Sequence, residues 1–181
     1  MPAATTNFFN YTREKVKNQK SGYRNRAWLA VVSTMTTISE PLPGSFGADA
    51  KTALTDHVFA TGKGFMEVYC LPKSVEAPAE SAGDTGAKHL NWKPKFFIPG
   101  DSPELQALVE EGLLNEDLVL LVEDATCPDG GVRQFGCDCT PLNVSDLKFE
   151  SGNTGDGKKG WAVETETSCR YFYMGTILKQ P

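Results

Sequence analysis

Cysteine is the residue type in this chain best suited to covalent or metal chemistry. There are five, and three of them lie close together in sequence: Cys127, Cys137 and Cys139. Zinc binds four thiolate or imidazole ligands in a tetrahedron, so these three would need a fourth ligand. The candidates for it are His57, His89 and Cys169. Zinc sites usually pair cysteines two to four residues apart, so the single residue between Cys137 and Cys139 favours free thiols, with a disulfide of open pairing as the alternative, over a metal.

A cysteine nucleophile would make the chain an enzyme. Cys137 or Cys139 would then need His57 or His89 within hydrogen-bonding reach to accept the thiol proton. No nucleophile motif surrounds these residues, and the sequence has neither Gly-x-Ser-x-Gly nor His-Glu-x-x-His. Residues 62–64, Gly-Lys-Gly, precede a predicted strand and not a helix, so they lack the N-terminal dipole of a phosphate-binding loop. We therefore expect a protein that is not an enzyme and has no cofactor or metal.

Tryptophan side chains offer another kind of site, a platform on which a sugar ring stacks. Trp92 and Trp161 both fall in predicted strands. Either would serve a monomeric carbohydrate-binding or ligand-binding β-sandwich, which is the alternative function. Aromatic side chains in strands more often belong to the core, and we favour that interpretation for both.

Composition indicates one globular domain. The chain has 181 residues and a mass of 19.7 kDa, with 40% hydrophobic and 23% charged residues. A net charge of −5 argues against a protein that binds nucleic acid over its whole surface. No apolar stretch reaches the ~20 residues of a membrane helix or follows a charged start as in a signal peptide, so we expect folding in a cytoplasm.

Charge is distributed unevenly along the chain. Residues 1–26 form a basic arm in which six lysines and arginines oppose a single acid, and from residue 96 onward acids outnumber bases 15 to 6. The arm also carries three clustered aromatic residues, Phe8, Phe9 and Tyr11, which are too apolar to remain in water. We expect them to pack on the body or on a neighbouring subunit. Opposite charges suit self-association, and a solvated surface of unequal sign is the alternative.

Residues 27–181 are predicted to form one mainly β domain. Apolar runs with a period of two, or continuous ones, predict strands at residues 26–39, 64–71, 87–98, 117–123, 132–136, 139–144, 160–167 and 170–176. Pro141 makes the strand at 139–144 an edge strand. Residues 72–86 are rich in Pro, Ala, Ser and Gly, which predicts a long projecting loop or hairpin inserted between two strands.

One helix is predicted. Ser102 caps its start and Pro103 occupies the first turn, where no N–H is needed, and apolar residues at helical spacing continue over 103–114. Many short strands around a single short flanking helix indicate an antiparallel β-sandwich or barrel.

Several segments carry a more specific signal through their order. The run LKFESGNTGDGKKGWAVETE at residues 147–166 is followed by YFYMG at 171–175, and upstream lie GFMEVY at 64–69, FIPG at 97–100 and VRQFG at 132–136. Over residues 60–176 the chain resembles the tail tube proteins and related virion structural proteins of tailed bacteriophages. The resemblance implies a small β-sandwich or barrel assembled into hexameric rings, which stack into a tube through which DNA passes. It also implies location in the virion tail, other tail proteins as partners, and no insertion into a membrane.

The resemblance implies subunit contacts and a lumen. The arm and the long loop supply the candidate contact residues, which are Phe8, Phe9, Tyr11, Arg13, Lys15, Lys17, Val75, Glu76, Glu80 and Asp84. Unpaired sheet edges would also associate, because their N–H and C=O groups are templates for another strand. An acidic lumen would repel phosphates and let DNA slide without specific contacts. Glu164 and Glu166, on one face of a predicted strand, are the lumen candidates.

Overall fold

The computed structural model describes residues 22–125, 131–152 and 157–180. Most of the basic arm, with its six candidate contact residues, lies outside the described residues, and so does Cys127. The strands are β1 (Tyr23–Val31), β2 (Met35–Thr37), β3 (Thr52–Ala53), β4 (Val58–Phe59), β5 (Met66–Tyr69), β6 (Ala79–Ala82), β7 (His89–Trp92), β8 (Lys95–Pro99), β9 (Leu118–Asp124), β10 (Val132–Phe135), β11 (Asn143–Glu150), β12 (Gly160–Glu166) and β13 (Arg170–Tyr173). The described part of the chain is mainly β, with several antiparallel sheets and one short helix, as predicted.

The larger sheet has six strands in the order β3-β13-β10-β9-β1-β5. All its pairings are antiparallel except the short parallel pair of β3 and β13. β9 lies in the middle, and its first five residues, Leu-Val-Leu-Leu-Val, are all buried. Such a continuous apolar run is typical of a strand covered on both faces, because successive side chains point to opposite sides.

A smaller sheet, β11-β12-β8, packs across the larger one and makes the fold a sandwich. The core between the two sheets takes side chains from both. Its buried members are Ala27, Leu29, Val68, Cys70, Val75, Phe96, Ile98, Val109, Leu113, Leu118, Leu120, Val122, Phe135, Leu142 and Val163. A second core, on the other face of the larger sheet, contains Trp28, Ala30, Ala53, Phe65, Val119, Leu121 and Tyr173.

The predicted helix is present over the predicted residues. Helix α1 (Pro103–Ala107) begins where Ser102 Oγ accepts the N–H of Leu105 at 3.2 Å, which satisfies one of the free donors of the first turn. It continues as a π-helical turn, Leu108–Leu113, whose Val109 and Leu113 are buried. No helix among the described residues is both long enough and apolar enough to cross a bilayer.

The single strand predicted over residues 26–39 is wrong. β1 ends at Val31, and a 3-10 turn, Val32–Thr34, separates it from β2. Thr34 Oγ1 donates to the carbonyl oxygen of Val31 at 2.7 Å and closes this turn. β1 also begins earlier than expected, since Tyr23 pairs with Asp124. Residues 23–26 therefore belong to the sheet and not to the arm.

The long loop predicted over residues 72–86 is in part wrong. Its first residues are held against the smaller sheet, because Glu76 and Lys95 exchange two backbone hydrogen bonds of 2.9 and 2.8 Å. What projects is the two-stranded hairpin of β6 and β7, so the hairpin alternative is confirmed. The edge strand predicted at 139–144 also differs in position. Residues 138–140 form a bend, and the edge strand is β11, which begins at Asn143.

Candidate assembly surfaces

The longest free strand edge belongs to β11. β11 pairs with β12 on one side, and no described segment pairs with the other side along its eight residues. At ~3.3 Å per residue this edge is about 26 Å long. Its N–H and C=O groups are the feature of the described chain most suited to adding a strand from another molecule.

The other sheet edges are partly covered by the chain itself. At the edge of β5, Phe65 exchanges backbone hydrogen bonds with Leu178 and Gln180 of the C-terminal segment, at 2.8 and 2.9 Å. At the edge of β8, Leu71 donates its N–H to the carbonyl oxygen of Phe97 at 2.8 Å. The edge strand β3 has only two residues. Among the described residues, β11 therefore has the longest edge that is free to accept a strand from a partner.

β11 also carries features that restrict which strand can pair with it. The register shifts at a bulge between Val144 and Asp146. On the outward face of the sheet, β11 carries Asp146, Lys148 and Glu150 beside its open edge, and the first two form an ion pair. Bulges and charges of this kind keep edge strands from pairing indiscriminately. Such features would favour a partner strand with complementary charges over an arbitrary exposed strand.

The hairpin is the second exposed element. Every residue from 83 to 90 is exposed, including Leu90, whose side chain is 51% exposed. Its base is anchored where Trp92 and Thr167 exchange backbone hydrogen bonds of 2.7 and 2.9 Å, so that it extends the smaller sheet beyond the end of β12. An isolated two-stranded hairpin is marginally stable in water. Contact with another molecule would stabilise it.

The structure places the four candidate contact residues of this region differently from one another. Glu80 and Asp84 are exposed on the hairpin, and Glu80 forms an ion pair of 2.6 Å with Lys93. Glu76 is exposed at the hairpin base. Val75, the fourth candidate contact residue, is 6% exposed and packs in the core between the two sheets. The backbone pair of Glu76 and Lys95 holds β8 beside Val75, so this apolar side chain is buried by its own chain.

The lumen candidates lie on the outward face of the smaller sheet. Val163 and Thr165 are buried, whereas Glu164 and Glu166 are exposed, so the alternation predicted for this strand is confirmed. Lysines share this face. Lys95 lies opposite Glu164 in the register, and Lys148 lies on the neighbouring β11. The face is therefore mixed in charge and acidic only in balance.

The negative charges on this face raise the pKa values of two nearby lysines, Lys148 and Lys93. Asp146 raises the pKa of Lys148, with a smaller contribution from Glu164. Glu80 raises the pKa of Lys93, again with smaller contributions from Glu166 and Glu164. The acids of β12 thus act on charges at the hairpin base and on the open edge. Since all these groups are exposed, salt weakens the effect.

The residues of the enzyme alternative are only partly brought together. Cys137 forms a disulfide with Cys169, so the expectation of free thiols is wrong for these two. Cys139 is a free, exposed thiol, and with His89 and Glu166 it lines an open depression of about 420 Å³. No hydrogen bond joins Cys139 to a histidine in the described part of the chain. Within the same ranges, no cluster of three or more His, Cys, Asp or Glu side chains could hold a metal.

His57 does not line this depression and, unlike His89, is buried. It is 4% exposed, its ring stacks on Tyr173 with 4.7 Å between centroids, and its Nδ1 accepts the N–H of Ser39 at 3.1 Å. Burial lowers the pKa of His57 to about 4, against smaller opposing effects of Gln134 and Asp56. A neutral, enclosed imidazole of this kind is a structural element of the second core.

The tryptophans of the carbohydrate-binding alternative pack against the core between the sheets, and both are half-buried. The guanidinium of Arg170 lies 4.6 Å from the ring centroid of Trp92, a cation-π contact on the ring face that a sugar would need. Trp161 packs against Phe149 with 5.0 Å between centroids. Neither indole is an open platform.

Sequence reasoning missed the acidic and basic residues of β11, because edge position depends on the order of strands in the sheet. Pro141 was the only local signal for an edge in this region.

No protein-family model, curated protein or solved structure matches the chain at a significant level.

Proposed function

We propose that this chain is a virion structural protein, the tail tube subunit of a tailed bacteriophage, and that it works by assembling into stacked rings around a DNA conduit. The observation that carries the proposal is the free, charge-patterned edge of β11. The β-sandwich with one flanking helix and the order of sequence segments agree with the same function. The protein then functions only as a homo-oligomer, acts without catalysis, and resides in the virion tail after assembly in the host cytoplasm.

A ring requires that each subunit offer two different surfaces, since one surface pairing with itself closes a dimer instead. The edge of β11 provides the first surface. The hairpin provides the second, because β6 has no partner on its outer side within the described chain. We assign the ring contact to β11 of one subunit and the hairpin of the next. The ring is expected to be a hexamer, and other tail proteins cap the tube.

The outward face of the smaller sheet is assigned to the lumen. Glu164 and Glu166 keep DNA phosphates from binding, and nearby lysines limit the repulsion so that DNA is neither held nor excluded. The adjoining strand β11 carries the contact edge, so assembly through this edge would place the acidic faces of successive subunits side by side.

Negative-stain microscopy of the concentrated full-length protein, together with light scattering after size exclusion, tests the proposal. Rings or tubes of uniform diameter are expected. A monodisperse monomer of about the chain mass at all concentrations would contradict it, and would favour the monomeric binding module if sugar or another small ligand then bound. Glycan-array binding by that monomer would identify such a ligand.

A further inference from the structure

A groove lies between the helix and the larger sheet, and its lining belongs neither to β11 nor to the hairpin. It encloses about 470 Å³ and runs between the α1 and π-helical segment on one side and the start of β5 on the other. Its apolar lining includes Leu29, Met66, Leu108, Leu113 and Leu118. A groove of this size is comparable to a small-ligand pocket and has room for two or three aromatic side chains.

The π-helical turn shapes one wall of the groove. Leu108, Glu111, Gly112 and Leu113 all belong to this turn and line the groove. A side chain at Gly112 would lie only 3.3 Å from Leu108 Cδ1, so glycine leaves the space that a larger residue would fill. π-helical turns are rare and are found frequently at functional sites.

The helix side of the groove is acidic. Glu104 and Glu111 are exposed on this wall, and neither forms an ion pair with any residue of the described ranges. Lys63 is the one cation that lines the groove among the described residues. The Glu104 carboxylate is hydrogen-bonded to Ser102 and to a backbone N–H at the helix start, but neither carboxylate has a cationic partner in the described ranges. The groove therefore combines an apolar floor with two uncompensated negative charges at its border, which fits an occupant that has aromatic and cationic side chains side by side.

The N-terminal segment of this chain has that composition. Phe8, Phe9 and Tyr11 are followed within a few residues by Arg13, Lys15 and Lys17. The segment is also long enough. β1 covers about 26 Å between its start at Tyr23 and Val31 at the groove, whereas an extended chain from Phe9 to Tyr23 spans up to about 46 Å.

We propose that the aromatic cluster of residues 8–11 docks in this groove in its own chain, with the following basic residues against Glu104 and Glu111. The aromatic rings cover the apolar floor, and the lysines and arginine neutralise the carboxylates. The docking needs only one chain, so it stands or fails independently of ring formation.

Zero-length carbodiimide cross-linking of the full-length protein at low concentration tests the docking. It joins a lysine to a carboxylate only when the two are in contact. We expect amide cross-links from Lys15 or Lys17 to Glu104 or Glu111, identified by peptide mass spectrometry. Mixing ¹⁴N- and ¹⁵N-labelled protein should show that the joined peptides carry the same label.

Two variants make the test specific. Phe8→Ser with Phe9→Ser leaves every charge in place and is expected to reduce these cross-links about tenfold, because the apolar contact holds the segment. Glu110→Lys is the matched control for Glu111→Lys: Glu110 lies in the same turn but does not line the groove, and its carboxylate accepts from Gln106 at 2.8 Å. Only Glu111→Lys should increase hydrogen exchange of residues 108–113.

Three results would overturn the proposal: no cross-link between the segment and the groove, cross-links that persist without the aromatic rings, or cross-links found only between differently labelled chains. A small molecule retained in the groove in native mass spectra would also overturn it, because the space would already be occupied.

Discussion

The backbone N–H of Glu76 donates to the carbonyl oxygen of Lys95 at 2.9 Å, and the N–H of Lys95 donates back to Glu76 at 2.8 Å. This pair fixes where the body of the protein stops and the hairpin begins. Val75, just before it, belongs to the core, whereas every residue from 83 to 90, at the tip of the hairpin, is exposed. An experiment on the hairpin must therefore leave residues 74–78 in place.

Removing the hairpin tests its role in assembly. Ala79 and Trp92 lie opposite each other in the hairpin register. Replacing residues 80–91 with Asn-Gly joins them through a two-residue turn, the connection that suits adjacent antiparallel strands. Because the lost residues contribute little to the core, we expect the thermal midpoint of the monomer to change by less than about 4 °C. Tubes should disappear in negative stain. Tubes of normal length would contradict the assigned contact.

A charge reversal on the open edge tests β11. Lys148→Glu leaves Asp146, Glu150 and the new glutamate as neighbouring negative charges facing a hairpin that carries Glu80 and Asp84. Like charges across a strand pair cost up to about 1 kcal/mol, so the protein concentration needed for assembly should rise roughly fivefold. Sedimentation of tubes across a dilution series measures it.

Lys51→Glu is the matched control for that reversal, because Lys51 is exposed in a 3-10 turn beside β3 and makes the same change in net charge. Assembly should be unaffected by it. Equal effects of the two substitutions would show that net charge, and not the edge of β11, controls association. High salt should reduce the difference between them.

His57 makes stability depend on pH. Burial lowers its pKa from 6.5 to about 4, so the unfolded chain binds a proton more readily than the folded one. The group costs no stability above pH 6.5, and the folded state loses up to about 3 kcal/mol from it as the pH falls from 6.5 to 4.

His57→Phe isolates this contribution. The variant loses the acceptor for the Ser39 N–H, which should cost about 1 to 3 kcal/mol at pH 7. Its stability should then fall less steeply than that of the wild type between pH 6.5 and 4, so that the two converge. Urea unfolding at four pH values measures the slopes, with His89→Phe, at an exposed position, as the control. Parallel slopes for wild type and His57→Phe would refute the assignment.

The disulfide should contribute to stability through the unfolded state. Cys137 and Cys169 are 32 residues apart, and closing a loop of that length is worth about 3 to 4 kcal/mol in the chain-entropy model. Cys137→Ser with Cys169→Ser should lose about that amount in urea unfolding, and adding a reductant should then change nothing further. Cys139→Ser, at a free exposed thiol, should behave as wild type. A reductant-sensitive double variant would mean that another pair of cysteines is bonded.

Local patterns were sufficient for several features of the fold. The Ser102 and Pro103 pair located the helix start because capping involves only neighbouring backbone groups. Alternation in β12 separated buried Val163 from exposed Glu164 because side chains on any strand point to opposite faces in turn. The mainly β class followed from the number of such runs. These are properties of a few consecutive residues, and they are present before the chain folds.

The tertiary structure alone decided which edge stays open, which side of residues 72–86 is buried, and which cysteines meet. Val75 is in the core because β8 passes beside it. Cys137 reaches Cys169 because the N–H of Gly136, just after β10, donates to the carbonyl oxygen of Cys169, just before β13. β11 has a free side because it is the last strand of its sheet and pairs only with β12 among the described strands. Each of these depends on contacts between segments far apart in sequence, which no local pattern encodes, since the same strand can pair on either side or on both.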